Sequence, residues 1–216
     1  MQLFGMQPMP ENHVVVSERT TPYRGFMRLD HYKLRHTIFN GEWSADLSRE
    51  VLERGHAVSV LPYDPIRDEV VLIEQFRIGA YTAPKTSPWQ IECVAGVIEP
   101  HQLAEDTAHR ETEEETKLRI LDLEPMHTYL TSPGCTSETV KMFCGHVDAS
   151  DAGGVHGLAS EGEYIRVFSM PVEEAFVWLA NGRIENGMTI IALQWLKLNL
   201  SQIQSKWKVG GGVSYV

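Results

Sequence analysis

The residues most able to do chemistry are three acids in one short run, Glu111, Glu114 and Glu115, inside Arg110-Glu111-Thr112-Glu113-Glu114-Glu115. On a helix, positions four apart share a face, so Glu111 and Glu115 stand one turn apart with Glu114 beside them. Like charges at that spacing destabilise a bare helix by about 0.2–0.5 kcal/mol per pair. The run also falls toward the C-terminal end of its helix, where the dipole disfavours anions. Arg110 and Lys117 relieve the repulsion only in part. A cation would relieve it fully, and carboxylate oxygens are hard ligands suited to Mg²⁺, with Mn²⁺ as the alternative. Spacing alone leaves two readings open, a metal-holding face and a solvated acidic face with no metal.

These acids need a helix and a frame. The spacing predicts a helix from about Leu103 to Thr116, entered through Glu99-Pro100, where proline near a helix start is favourable. Before it the chain reads as mostly β. Residues 1–20 read as a polar arm, poorly ordered or at a sheet edge, 23–36 alternate as strands, and Asn40-Gly41 signals a hairpin turn. Residues 45–54 read as a polar strand or connection, and buried strands follow at 55–61, 69–77 and 89–95. After the helix come strands near 122–131 and 139–147, a long glycine-bearing mobile loop over 148–162, and a strand at 165–170. Helices follow at 171–181, closed by Gly182, and at 188–200. Strands and helices without strict alternation imply an α+β fold.

Composition sets outer bounds. The 216 residues are 43% hydrophobic, enough for a real core and too apolar for a disordered chain. The 19 basic and 29 acidic residues give a net charge of −10, which excludes non-specific nucleic-acid binding through phosphates. A phosphate-bearing small substrate remains compatible if a divalent cation or local arginines stand between the charges. No apolar run reaches the roughly 18 residues of a membrane helix, and the first ten residues carry no signal-peptide pattern. Cys93, Cys135 and Cys144 form no CxxC pair, which points to a reducing, cytoplasmic setting without a disulfide frame or structural zinc.

The segment from Gly96 to Leu118 resembles the Nudix box: a glycine, five residues, a glutamate, seven residues, then Arg-Glu-apolar-any-Glu-Glu-any-Gly-apolar. Gly96, Arg110-Glu111, Glu114-Glu115 and Leu118 match. Gln102 replaces the first glutamate, His101 the glycine often found before it, Thr112 an apolar residue and Lys117 the second glycine. A glycine at that last place usually leaves the helix with positive φ, which is disfavoured for lysine by about 1 kcal/mol. The wider chain, roughly Tyr23 to Leu196, is similar to the bacterial ADP-ribose pyrophosphatase branch of this superfamily. The landmarks are Tyr23-Arg24-Gly25-Phe26, Glu53-Arg54-Gly55-His56-Ala57, Glu74-Gln75-Phe76-Arg77, Val94-Ala95-Gly96, Ser132-Pro133-Gly134 and Thr136-Ser137-Glu138, with Pro133 about fifteen residues past the box.

The resemblance implies a Nudix fold, a mixed β-sheet sandwiched between helices with an N-terminal antiparallel sheet. It implies an N-terminal β region over 1–55 that dimerises and completes the partner's site, a hydrolase domain over 56–205 and a flexible tail over 206–216. It implies Mg-dependent hydrolysis of ADP-ribose to AMP and ribose 5-phosphate by a homodimer with shared sites. Glu111, Glu115, Glu163 and the Ala95 carbonyl are the implied metal ligands, and Glu161 the implied general base, with Glu163 competing for that role. Both acids end the glycine-rich stretch, where a loop can close over substrate. The implied substrate contacts are Phe26 and Met27, Arg49 and Glu50, Arg54, Arg77, Val97, Ser132, Pro133 and Gly134, and Glu138. Glu114 is left out of the metal set, either supporting it from behind or in an ion pair with Arg110. Two alternatives stay open: another nucleoside diphosphate sugar, decided by residues near 77–90 and 132–138, and a weakly active ADP-ribose sensor, suggested by Gln102 and Lys117.

Overall fold

The computed structural model describes residues 13–158 and 162–209. The chain divides into two compact units, one running through His56 and joined by Leu130–Thr139, the other formed by Ala57–Tyr129 and the chain from Val140 onward.

The first unit is built on a three-stranded antiparallel sheet in the order β1 (Val14–Arg24), β2 (Arg28–His36), β3 (Leu47–Glu53). The arm expected over 1–20 is therefore, from Val14, a full edge strand paired from Val14↔His36 to Arg24↔Arg28. All eleven residues of β1 are exposed, so no burial pattern betrays it, and its ladder to β2 holds it. Its register shifts between Thr20 and Tyr23, around Pro22, which has no N–H to give a ladder. Asp30 on β2 is fully buried and accepts from Arg19 (2.6 Å), Thr21 (2.7 Å) and Arg28 (3.0 Å). Those donors hold its carboxyl down at about 2. The Asn40-Gly41 turn forms as expected, with Gly41 at φ +86° and a bridge from Thr37 to Trp43. The segment Leu130–Thr139 joins this sheet through a parallel bridge from Leu52 to Thr136.

The second unit carries an eight-stranded mixed sheet. Its strands are β4 (Ala57–Asp64), β5 (Glu69–Phe76), β6 (Trp89–Glu92), β7 (Val94–Val97), β8 (Asp122–Leu130), β9 (Thr139–His146), β10 (Val155–His156) and β11 (Ile165–Pro171). The main path is β10-β11-β5-β4-β9-β8, with β6 on β5 and β7 on β4; β4 and β9 run parallel. The expected strand at 89–95 is two strands, because the chain breaks at Cys93 and changes partner from β5 to β4. The stretch expected as a loop over 148–162 includes β10, which pairs with β11.

Four helices complete the described part of this unit: α1 (Ile78–Thr82), not expected from sequence, α2 (Ala104–Thr116), α3 (Val172–Ala180) and α4 (Gly187–Val209). Alternate residues of the central strands feed two cores. Leu61, Tyr63, Val70 and Leu72 pack with Phe176 of α3 and Leu193 and Leu196 of α4. Val58, Val60, Val71 and Ile73 pack on the other face with Ala104 and Ala108 of α2. The architecture is thus α+β, a mixed sheet between helices, with a separate antiparallel sheet. Helix α4 runs nine residues past the expected Leu200 and through position 206, where the sequence places the start of a tail. Ile203 and Trp207 continue its buried stripe, and the Trp207 indole donates to Asp122 at 2.8 Å.

Candidate functional site

Helix α2 turns one stripe inward, comprising Ala104, Thr107, Ala108, Thr112, Glu115 and Thr116. Two of the departures from the box lie on or beside this stripe, and their chemistry is local. Thr112 takes an apolar place because its hydroxyl donates to the Ala108 carbonyl at 2.8 Å, leaving no unmet polar group. Gln102 is exposed and accepts from the Thr107 hydroxyl at 3.3 Å. His101 and Lys117 both adopt positive φ, +74° and +62°, where glycine would be unstrained. Lys117 closes the helix in the left-handed conformation, donating its N–H to Glu113. Replacing it with glycine is expected to raise unfolding stability by about 1 kcal/mol, read from the urea midpoint, with no change in the site.

Glu115 is the only acid on the inward stripe, and it is 4% exposed. Its Oε2 is buried without a hydrogen-bond partner. Burial first, then the neighbouring charges of Glu111 and Glu163, push its carboxyl well above the ordinary value; Arg77 and the Ala95 backbone pull the other way. Glu111, one turn earlier, is raised chiefly by burial, and Arg110 partly offsets this through a 2.8 Å ion pair. Arg110 also pairs with Glu114 at 2.8 Å, one of the two roles read for Glu114 from sequence. Above Glu111 passes β7. A Cβ on Gly96 would overlap the Glu111 carboxylate and its Cγ, so glycine is what lets strand and acid lie this close.

The Glu163 N–H donates to the Leu158 carbonyl at 3.2 Å. Gly157, at φ +97°, makes room for the Glu163 Cβ and carbonyl. Glu163 bears electrostatically on both Glu111 and Glu115. Glu161 lies outside the described residues. Among the described residues, no three His, Cys, Asp or Glu side chains are gathered so that they could hold a metal ion by themselves. The donor types nevertheless suit a hard divalent cation: all are oxygens, from three carboxylates and the Ala95 carbonyl, and one carboxylate oxygen is a buried acceptor without a donor.

Arg77 also bears on this cluster, through Glu115 and Glu163. Its guanidinium is bound to Glu92, at 3.0 Å from Nε and 2.8 Å from Nη2. Glu92 and Asn186 escaped the sequence reading, and Gln75 entered it only within the landmark Glu74-Gln75-Phe76-Arg77. The signal was faint, because β5 also carries Glu69 and Glu74 and β6 also carries Gln90. Val97 is exposed at the end of β7.

The remaining sequence-derived contacts belong to the first unit. Phe26, fully exposed, and Met27 line an open concavity of about 370 Å³ together with Arg24, Arg28, Glu53 and Arg54. Arg54 reaches the largely buried Glu138 at 3.3 Å. Ser132, Pro133 and Gly134 lie in a turn whose Ser132 carbonyl accepts from Cys135 and Thr136. Arg49 and Glu50 are exposed on β3 and do not line that concavity.

Comparison with known proteins agrees with this geometry. The NUDIX domain family model matches residues 53–191. The ADP-ribose pyrophosphatase of Escherichia coli (strain K12) is 48% identical over 197 residues, covering 91% of this chain and 94% of the relative. That of Haemophilus influenzae is 39% identical over 209 residues, with 96% of each covered. A GDP-mannose pyrophosphatase of Cronobacter sakazakii is 34% identical over 154 residues, or 69% of this chain and 78% of that protein. A crystal structure of an ADP compounds hydrolase matches with TM-score 0.64 at 17% identity, over 90% of this chain and 98% of that one, a likeness of fold. With Glu111 of the box lying against Gly96 and a family match over most of its length, the chain belongs to the NUDIX domain family.

Proposed function

We propose that the protein hydrolyses the pyrophosphate bond of ADP-ribose, giving AMP and ribose 5-phosphate. The observation that carries this reading is the buried, donorless oxygen of Glu115 beside Glu111, a pair poised to hold a cation against a diphosphate. Relatives that act on ADP-ribose at 48% and 39% identity supply the substrate. Glu111, Glu115, Glu163 and the Ala95 carbonyl would hold Mg²⁺, or Mn²⁺ in its place. The bound ion supplies neutralisation of the diphosphate charge and an acidified water. Glu161 takes the proton of the attacking water. Arg77 pairs with phosphate oxygen. Arg54, Phe26, Met27, Arg49, Glu50, Val97, Ser132, Pro133, Gly134 and Glu138 contact the nucleotide and sugar.

The first unit is assigned to a homodimer interface that completes the partner's site. Its exposed apolar residues Val14, Val15, Val16, Phe39 and Trp43 support that assignment. Sedimentation is expected to show a dimer down to nanomolar concentration, and a monomeric active enzyme would remove it. The protein is assigned to the cytoplasm. No helix among the described residues is long and apolar enough to cross a membrane.

The test is turnover by purified protein. With Mg²⁺, ADP-ribose is expected to yield AMP; EDTA is expected to abolish this, and Glu111→Gln to lower kcat by about 10²-fold or more. The GDP-mannose relative motivates including GDP-mannose and other diphosphate sugars in the same panel. Faster turnover of one of those would move the substrate while leaving the chemistry. Binding of ADP-ribose without turnover at any metal concentration would favour a sensor.

A further inference from the structure

The buried acid just before Gly96 has no part in the reading above. Glu92 on β6 is 2% exposed, and a carboxylate so deep in a sheet persists only when paired. Its Oε2 accepts from Arg77 Nη2 at 2.8 Å, Arg77 Nε at 3.0 Å and Gln75 Nε2 at 3.3 Å. Its Oε1 accepts from Asn186 Nδ2 at 3.0 Å. Asn186 is itself fixed, because it caps α4 by accepting from the Thr189 N–H and hydroxyl, both at 3.1 Å. Thr189 Oγ1 in turn accepts from the N–H of Cys93, the residue after Glu92. The end of β6 and the start of α4 are therefore stitched together around one carboxylate.

The consequence falls on Arg77. A guanidinium offers five N–H donors in a rigid plane, so occupying Nε and Nη2 sets the direction of the rest. The same group lies in the field of Glu115 and Glu163. We propose that Glu92, held in turn by Asn186, is a positioning residue that fixes the Arg77 fork so that its unoccupied edge meets the substrate diphosphate. This rests on the reading that the site takes a nucleoside diphosphate sugar. Glu92 touches no substrate, and it acts only through Arg77.

A double-mutant cycle tests it, with ADP-ribose and Mg²⁺ as probes. Glu92→Gln keeps the shape but weakens the grip on Arg77. It is expected to raise KM by about 10–50-fold, the range for a charge-assisted hydrogen bond, and to change kcat less than 3-fold. In an Arg77→Met background the same substitution is expected to shift KM less than 2-fold, because its route is gone. Asn186→Ser keeps a helix cap but cannot reach Glu92; it is expected to raise KM with the melting temperature nearly unchanged. The Arg77 Nε–H signal in ¹⁵N spectra, identified by its loss in Arg77→Met, is expected to move and broaden in Glu92→Gln. Unchanged KM in a folded Glu92→Gln protein, or an equal KM rise in both backgrounds, overturns the proposal. If the wild type fails to turn over ADP-ribose, the substrate reading is what has failed. The Nε–H signal then decides the tie to Arg77 by itself, and an undisturbed signal in Glu92→Gln rejects it.

Discussion

Glu115→Gln is expected to lower kcat for ADP-ribose by about 10³-fold, since several kcal/mol of transition-state charge stabilisation depends on the cation it helps to hold. The same substitution is expected to make the metal-free protein more stable. The carboxyl of Glu115 is raised well above 4.5 by burial and by Glu111, so the fold penalises its ionised form. An acid with a raised folded value binds protons more tightly in the folded state. Stability is then highest below the unfolded value near 4.5 and falls as pH climbs through the raised folded value. Glu111 is raised as well and adds to the same fall. In EDTA, wild type should thus lose melting temperature more steeply than Glu115→Gln as pH climbs above 4.5. The comparison between variants cancels the carboxyls that behave oppositely, such as Asp30 and Asp64, which are held low and lose their contribution as pH falls. Adding Mg²⁺ should raise the melting temperature of wild type and leave the variant nearly unmoved. Equal pH slopes in EDTA, or full activity in the variant, would remove Glu115 from the metal site.

Gly96→Ala is expected to reduce kcat by about 10²-fold, the penalty of displacing a reacting group by an ångström, while the protein stays folded. Gly96 does not sit at positive φ, so the backbone accepts alanine. The obstacle is the Glu111 side chain, whose Cγ, Cδ and Oε1 occupy the place of the new methyl group. Glu111 can swing aside, because its carboxylate is the free end of a flexible chain, but it then leaves the face it shares with Glu115. Gly79→Ala is the control, since nothing lies within 4 Å of its Cβ position. Melting temperatures close to wild type in both variants, with activity lost in only one, isolate the displacement of Glu111. Full activity in Gly96→Ala would mean that Glu111 works from another rotamer.

The two expectations differ in how visible they were beforehand. That Glu111 and Glu115 share a helix face follows from spacing, and the left-handed exit at Lys117 follows from the glycine that the box has there. Periodicity also found β4, β5 and α2, because apolar residues on a regular element must face a core. It left β1, whose residues are all exposed, open between a poorly ordered and an edge arm, and it missed α1, which buries nothing. It stopped α4 at Leu200 because polar residues separate Ile203 and Trp207 from the apolar run before them.

By itself, the order of residues determined which acids stand together, the helix that carries them and the class of ion they suit, since all of these depend on neighbours a few positions apart. Only the tertiary structure decided that the Glu115 Oε2 is buried without a donor. It alone brought Gly96 against Glu111, and Glu92 and Asn186 behind Arg77. Burial and the pairing of charges are set by what packs on an element from elsewhere in the chain, and Asn186 lies 94 positions from the acid it holds.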